Sequence, residues 1–274
     1  FFKTGSWSNL NSWHETLKPF YNVAYTMLGA AKNTKLYDSD FLLKDLAKDL
    51  GKEKDFEVAK VAVFFGEPGK TVKDPYFNGQ GPDRKGCIHC GACMTGCRYN
   101  SKNTLDKNYL YLAQNLGAKI IAEKEVFHVE TLGDKDGSNG YKVSYKSSLG
   151  KKRIESVTTK GIIFSGGVMG TIPLLLNLKE NSLSRLSDFV GKDVRTNNES
   201  LLSVTSTKKD DNDYSKGLAI GSILHTDKNS HLEVVRYSKG SNFFKLLTMP
   251  TIKSKFALIR ILGIFKLFFF INII

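Results

Sequence analysis

The chain has 274 residues, 41% of them hydrophobic and 11% aromatic, enough apolar material for one large domain or two interleaved ones and too much for global disorder. Its net charge of +13 is spread along the sequence with no base-reading motif beside it, which argues against a nucleic-acid partner and suits an anionic membrane surface. No charged region leads into a signal-like apolar run, so the expected location is cytoplasmic, with association at a membrane surface.

Residues 11–31, "NSWHETLKPFYNVAYTMLGAA", place Trp13, Leu17, Phe20, Tyr21, Ala24, Met27 and Leu28 at helical spacing, and this aromatic stripe is expected in the core. A second helix is predicted over "DSDFLLKDLAKDLG", opened by an Asp or Ser cap and closed by Gly51. "EVAKVAVFFG" alternates and then turns fully apolar, the pattern of a strand. The following "GEPGKTVKDPYFNGQGPDRKG" is too rich in Gly and Pro for regular structure.

Next comes "CIHCGACMTGC", residues 87–97, which holds every cysteine of the chain: Cys87, Cys90, Cys93 and Cys97. The spacing C-x2-C-x2-C-x3-C opens the thiolate run of bacterial-type ferredoxins, although Cys97 is followed by Arg98 where that run has proline. Three readings stay open. A 4Fe-4S cluster could be bound, with Cys97 folding back onto it or a non-cysteine ligand completing it. Four thiolates also suit zinc, though its ligand pairs normally stand further apart in sequence. Disulfides or free thiols are the plainest alternative.

After the cysteines, "NTLDKNYLYLAQNLGAK" reads as a helix starting near Asn103 or Thr104 and stopping at Gly117. Three strands follow, "AKIIAEKEVFHVETL", "YKVSYKSS" and "KKRIESVTT", separated by turn residues as in a meander. "KGIIFSGGVMGTIPLLLNL" is read as a buried apolar strand, a turn at Gly166, Gly167 and Gly170, and a helix. Such an order lets backbone approach a phosphate or a flat ring, but no complete G-x-G-x-x-G occurs in the chain. "SLLSVTST", "GLAIGSILHT" and "SHLEVVRY" are predicted strands of a mostly antiparallel sheet. The apolar end, "FALIRILGIFKLFFFINII", is interrupted by Arg260 and Lys266 and is expected to be a truncation-related core segment, its packing partners missing because the chain stops early, more than a membrane anchor.

Five segments in order carry a resemblance: "DPYFNGQGPDRKGCIHCGACMTGCRYNSKNTLDKNYLYLA", "KIIAEKEVFHVE", "GIIFSGGVMGTIPLLL", "VGKDVRTNNESL" and "SHLEVVRY". Together they resemble the glucose–methanol–choline (GMC) oxidoreductases, within them a cholesterol-oxidase-like branch, over most of residues 7–245. The resemblance implies a mixed α/β (α+β) fold: a partial, layered FAD-binding domain with a three-stranded meander, plus an antiparallel-sheet substrate domain. It divides the chain into a helical, substrate-side part (1–80), part of the FAD-binding domain with the cysteine loop (81–180), a substrate-domain sheet (181–250) and an apolar tail (251–274). The family's opening G-x-G-x-x-G turn and its closing catalytic histidine segment have no counterpart here, so the chain is read as an internal portion of such an enzyme, and FAD binding by it alone is expected to be weak.

By the same resemblance, Val126 meets the adenine of FAD, Gly166, Gly167 and Gly170 let the chain pass the ribose or flavin, and Asn197 and Asn198 border the ring. Glu233 is the candidate catalytic base for oxidation of an alcohol, a sterol or another bulky lipid alcohol, by hydride transfer to flavin. Burial in "HLEVV" would raise its pKa, whereas strand alternation would equally place it facing water. Glu199 is a weaker candidate, and His225 and His231 are the nearby titratable groups. The alternatives are an iron–sulfur electron-transfer module of a flavin dehydrogenase and a nonfunctional remnant.

Overall fold

A computed structural model describes residues 8–194, 199–202, 204, 212–241, 252 and 254–271. The chain forms two compact units, the first from residues 1–118 and 203–274 and the second from residues 119–202. Helices mix with small sheets, and every paired strand is antiparallel.

The first unit opens with α1, Trp13–Met27, which has no buried residue. Its aromatic stripe was expected in the core, yet Phe20 is 65% exposed and Tyr21 and Tyr25 stand half in water. Helical spacing reveals one apolar face, and Trp13, Leu17, Ala24 and Met27 on it are only partly covered. β1, Ala31–Lys32, is followed by α2, Asp38–Asp49, which stops just before Gly51 as predicted. Its cap is not an Asp or Ser. The residue before the helix is Tyr37, whose N–H donates to Asp40 Oδ2 at 3.0 Å from inside the first turn.

The predicted strand over 57–66 is two short ones, β2 at Phe56–Val58 and β3 at Lys60–Val61. The chain changes sheets at the buried Ala59, whose N–H donates to Gly221 O while its C=O accepts from Asn33 N. The Gly- and Pro-rich stretch contains a small pair, β4 at Thr71–Val72 and β5 at Arg84–Lys85. Beyond the cysteine loop, a 3-10 turn at Leu105–Lys107 precedes α3, Tyr109–Asn115. Asn108, not Asn103 or Thr104, caps it by accepting from Tyr109 N at 2.6 Å.

The second unit is the meander β6 (Lys124–Thr131), β7 (Tyr141–Ser147) and β8 (Ile154–Thr159), in that spatial order, as its turn signals predict. α4, Val168–Asn181, buries Leu178, and Ser182 Oγ just beyond it donates to Val129 O at 2.5 Å. The apolar strand expected before this helix is absent. Residues 161–165 have no regular structure, and Ile163 is 90% exposed. An apolar run becomes a buried strand only where neighbours cover both faces.

The chain then contributes β9 (Ile220–His225) and β10 (His231–Val235), which join β2 in the order β10-β9-β2. Leu43 and Ala47 of α2 pack with Leu224, and Phe56, Leu232 and Val234 surround them. Half of the predicted strand over 200–207 lies outside the described residues. α5, Ala257–Ile271, is helical, and Leu258, Leu262 and Phe265 on it are exposed. No helix among the described residues is long and apolar enough to cross a membrane.

Candidate functional site

In the first unit the first half of the cysteine loop is held by backbone. Cys87 N donates to Phe64 O at 3.0 Å, Gly91 N to Gly217 O at 2.9 Å, and Gly217 N to His89 O at 2.9 Å. Gly91 turns the loop at φ +73°, and a Cβ there would collide with Ser215 O.

All four cysteines are free thiols and border one cavity of about 10 Å³, together with Val63, Ser101 and Lys102. That is room for about one water, not for a cluster of irons and sulfides. Among the described residues no three His, Cys, Asp or Glu side chains gather as an ion requires. The iron–sulfur and zinc readings of Cys87, Cys90, Cys93 and Cys97 therefore find no support in the geometry. Regular spacing brings thiols to one loop, but their convergence depends on how that loop is anchored.

The thiols are unequal. Cys87 packs with Val63 and Leu218, and burial pushes its pKa up to about 11. Cys97 is also raised by burial, but backbone N–H groups of Lys102, Ser101 and Tyr99 outweigh this and hold it below the ordinary thiol value. Ser101 N–H donates to Cys97 Sγ at 3.3 Å.

The segment that supplies those donors is clamped by Arg84, which is 1% exposed. Its guanidinium donates to Asn100 Oδ1 at 2.6 Å, Lys102 O at 2.7 Å and Asn103 Oδ1 at 3.0 Å. Asn103 Nδ2 in turn donates to Leu28 O and to Tyr76 Oη. Sequence reasoning missed Arg84 and Asn103. "PDRKG" reads as a solvated turn, and an asparagine before a helix reads as a cap.

Beside this network lies a groove of about 540 Å³ lined by Tyr25, Gly29, Phe64, Phe65 and Tyr76, among others. Phe64 and Tyr76 meet edge to face at 6.0 Å.

Glu233 stands on β10 with its side chain 31% exposed, 3.4 Å from His231 Nε2. Leu232 and Val234 turn toward the α2 core, so the alternation puts Glu233 on the opposite, open face. Glu233 is therefore not buried. His225 shares that face, paired with Glu57 Oε1 at 3.0 Å, and the two imidazoles lie 5.9 Å apart.

In the second unit Val126 sits on β6, an edge strand, at the irregularity between Val126 and His128. Gly167 precedes α4 at φ +82°, with nothing within 4 Å of where a Cβ would stand, and Gly170 lies inside the first turn with the same open space. Gly166 is similarly uncrowded, its added Cβ meeting only Thr171 Oγ1 at 3.5 Å. Val168 and Met169 are exposed beside them. Asn197 and Asn198 lie outside the described residues.

Residues 80–182 match the family model described as GMC oxidoreductase. The chain is 42% identical over 259 residues to a protein of Acinetobacter baumannii named cholesterol oxidase, covering 92% of this chain and 46% of that protein. It is 39% identical over 254 residues to proteins of two Mycobacterium tuberculosis strains with the same name, covering 90% of this chain and 44% of theirs. The chain thus spans less than half the length of these relatives. No solved structure matches it.

Proposed function

The chain belongs to the GMC oxidoreductases, and from this we infer that it works as part of an FAD-dependent oxidoreductase acting on the CH–OH group of an alcohol, a sterol or another bulky lipid alcohol. The observation that carries the reading is the 42% identity to a cholesterol oxidase, sustained over 92% of this chain. The family implies FAD.

The second unit fits part of that group. Open backbone at Gly167 and Gly170 and the edge position of Val126 suit a flat nucleotide lying along them. What this unit does not offer is a G-x-G-x-x-G turn for the pyrophosphate. Val126, Gly166, Gly167 and Gly170 are accordingly the residues assigned to hold the cofactor, with Asn197 and Asn198 assigned from the sequence alone. When bound, the flavin supplies the hydride acceptor.

The chain's own residues bind the substrate and move its proton. The aromatic groove of the first unit is large enough for a drug-sized apolar ligand, and rigid rings suit a flat alicyclic body. Glu233 is assigned to accept the hydroxyl proton, supported by the His231 imidazole 3.4 Å away, which can share it.

The test is equilibrium binding of a labelled sterol to the purified chain, beside a small hydrophilic alcohol. Saturable sterol binding, weakened about 10-fold or more by Phe65→Ala or Tyr25→Ala, is expected. No sterol binding, or equal binding of the hydrophilic alcohol, overturns the substrate assignment.

A further inference from the structure

The cysteine loop is not used by the alcohol chemistry, yet it gathers four free thiols around one cavity. Cys97 is the best activated of them. The Ser101 backbone N–H points at its sulfur at 3.3 Å, the buried Arg84 lies behind the segment that carries this donor, and no carboxylate borders the cavity. The Ser101 hydroxyl, 2% exposed and also lining the cavity, has no nitrogen or oxygen partner. A hydroxyl turned toward the Cys97 sulfur, with no competing nitrogen or oxygen partner, favours negative charge on that sulfur.

Cys93 is tied to the same segment. Lys102 Nζ donates to Cys93 O at 3.1 Å, while the preceding residue, Ser101, donates to Cys97 Sγ. Cys90 is held in a bridge with Gly217, and Cys87 is withdrawn into the apolar cluster, against the edge of which Cys93 packs.

We propose that the loop is a peroxide-reactive dithiol site, with Cys97 as the nucleophile, Cys93 as the resolving thiol and hydroperoxides as the substrate class. The Cys97 thiolate attacks one peroxide oxygen, the O–O bond breaks, and the departing oxygen takes a proton, leaving a sulfenic acid. The Cys93 thiolate then attacks that sulfur, the S–O bond breaks and water leaves, closing a disulfide. Two thiols and one hydrogen peroxide give one disulfide and two waters, a two-electron oxidation of sulfur balanced by reduction of the peroxide. A dithiol reductant reverses it. This inference is independent of the alcohol reading.

The experiment exposes the reduced chain to substoichiometric hydrogen peroxide near neutral pH, blocks the remaining thiols and maps the peptides by mass spectrometry. Each chain that reacts should lose two of its four free thiols to a Cys93–Cys97 disulfide, so that about two thiols disappear per peroxide added. Cys97→Ser should slow thiol loss about 10-fold or more, and Cys93→Ser should leave Cys97 as a sulfenic acid trapped by dimedone. Competition among the four thiols of the unsubstituted chain gives the same answer without a variant. In urea the preference for Cys97 should vanish. First oxidation at Cys87 or Cys90, unchanged kinetics in Cys97→Ser, or a preference that survives urea overturns the proposal.

Discussion

Arg236 Nη2 stands 2.7 Å from Asp40 Oδ1, and the two side chains are 3% and 0% exposed. Asp40 also accepts from Ser222 Oγ at 2.7 Å, and Arg236 Nη1 donates to Lys216 O at 2.6 Å. The pair ties the first turn of α2 to β9 and to the chain just after β10, so it orders the sheet that carries Glu233. Asp40→Ala strands a buried guanidinium and should lower stability by roughly 3 kcal/mol or more. Replacing both partners by apolar residues of similar size should recover most of that loss. Urea unfolding of the two variants checks it, and a mild single substitution would show that the pair is not desolvated.

Gly91 is the hinge of the cysteine loop. Its φ of +73° disfavours any Cβ, and Ser215 O occupies the place where one would go. Gly91→Ala should cost about 1–3 kcal/mol, from backbone strain and from separating the loop from the chain before β9. Denaturant midpoints read this directly. A neutral result would mean that the Gly91 N–H to Gly217 O bond does not restrain the loop.

Cys87 gives stability a distinct alkaline dependence. Its pKa rises from the ordinary 9.0 to about 11, because burial disfavours the thiolate. Above the unfolded value the unfolded chain binds fewer protons at this site than the folded one, so stability falls as pH rises. The contribution is fully present below pH 9.0 and is lost as pH climbs through about 11. Its full size is roughly 3 kcal/mol, at about 1.4 kcal/mol per pKa unit. The difference between the wild-type chain and Cys87→Ala, followed by denaturation from pH 8 to pH 11, isolates this group. Parallel curves would contradict the assignment.

Flavin should be held loosely. The chain offers open backbone at Gly167 but no G-x-G-x-x-G to grip a pyrophosphate. FAD added to the purified chain should therefore be lost on desalting, leaving well under one equivalent by its visible absorbance. Tight, stoichiometric flavin would show that other residues bind the pyrophosphate.

The elements legible in sequence are those governed by neighbours along the chain. α2 follows from apolar residues at helical spacing bounded by Asp38 and Gly51, and the meander follows from alternation broken by turns such as Asp136-Gly137-Ser138. The five motifs that place the chain among the GMC oxidoreductases are likewise ordered stretches of residues, and need no geometry to be read.

Burial and partnership were settled in three dimensions. "GIIFSG" looks like a buried strand, yet Ile163 is 90% exposed, because periodicity reports that a face is apolar and not that anything covers it. Glu233 could have faced either way until Leu232 and Val234 were seen to turn toward the α2 core. Arg84 reads as a surface charge and is buried, because three carbonyl and amide oxygens of residues 100–103 converge on it. The sequence by itself determined that all the sulfur lies in one eleven-residue loop and that the chain mixes helices with antiparallel strands. Only the tertiary structure decided that Cys87 is a withdrawn thiol and Cys97 an activated one, since the apolar cluster around the first and the N–H groups around the second come from other segments and from the fold of the loop itself.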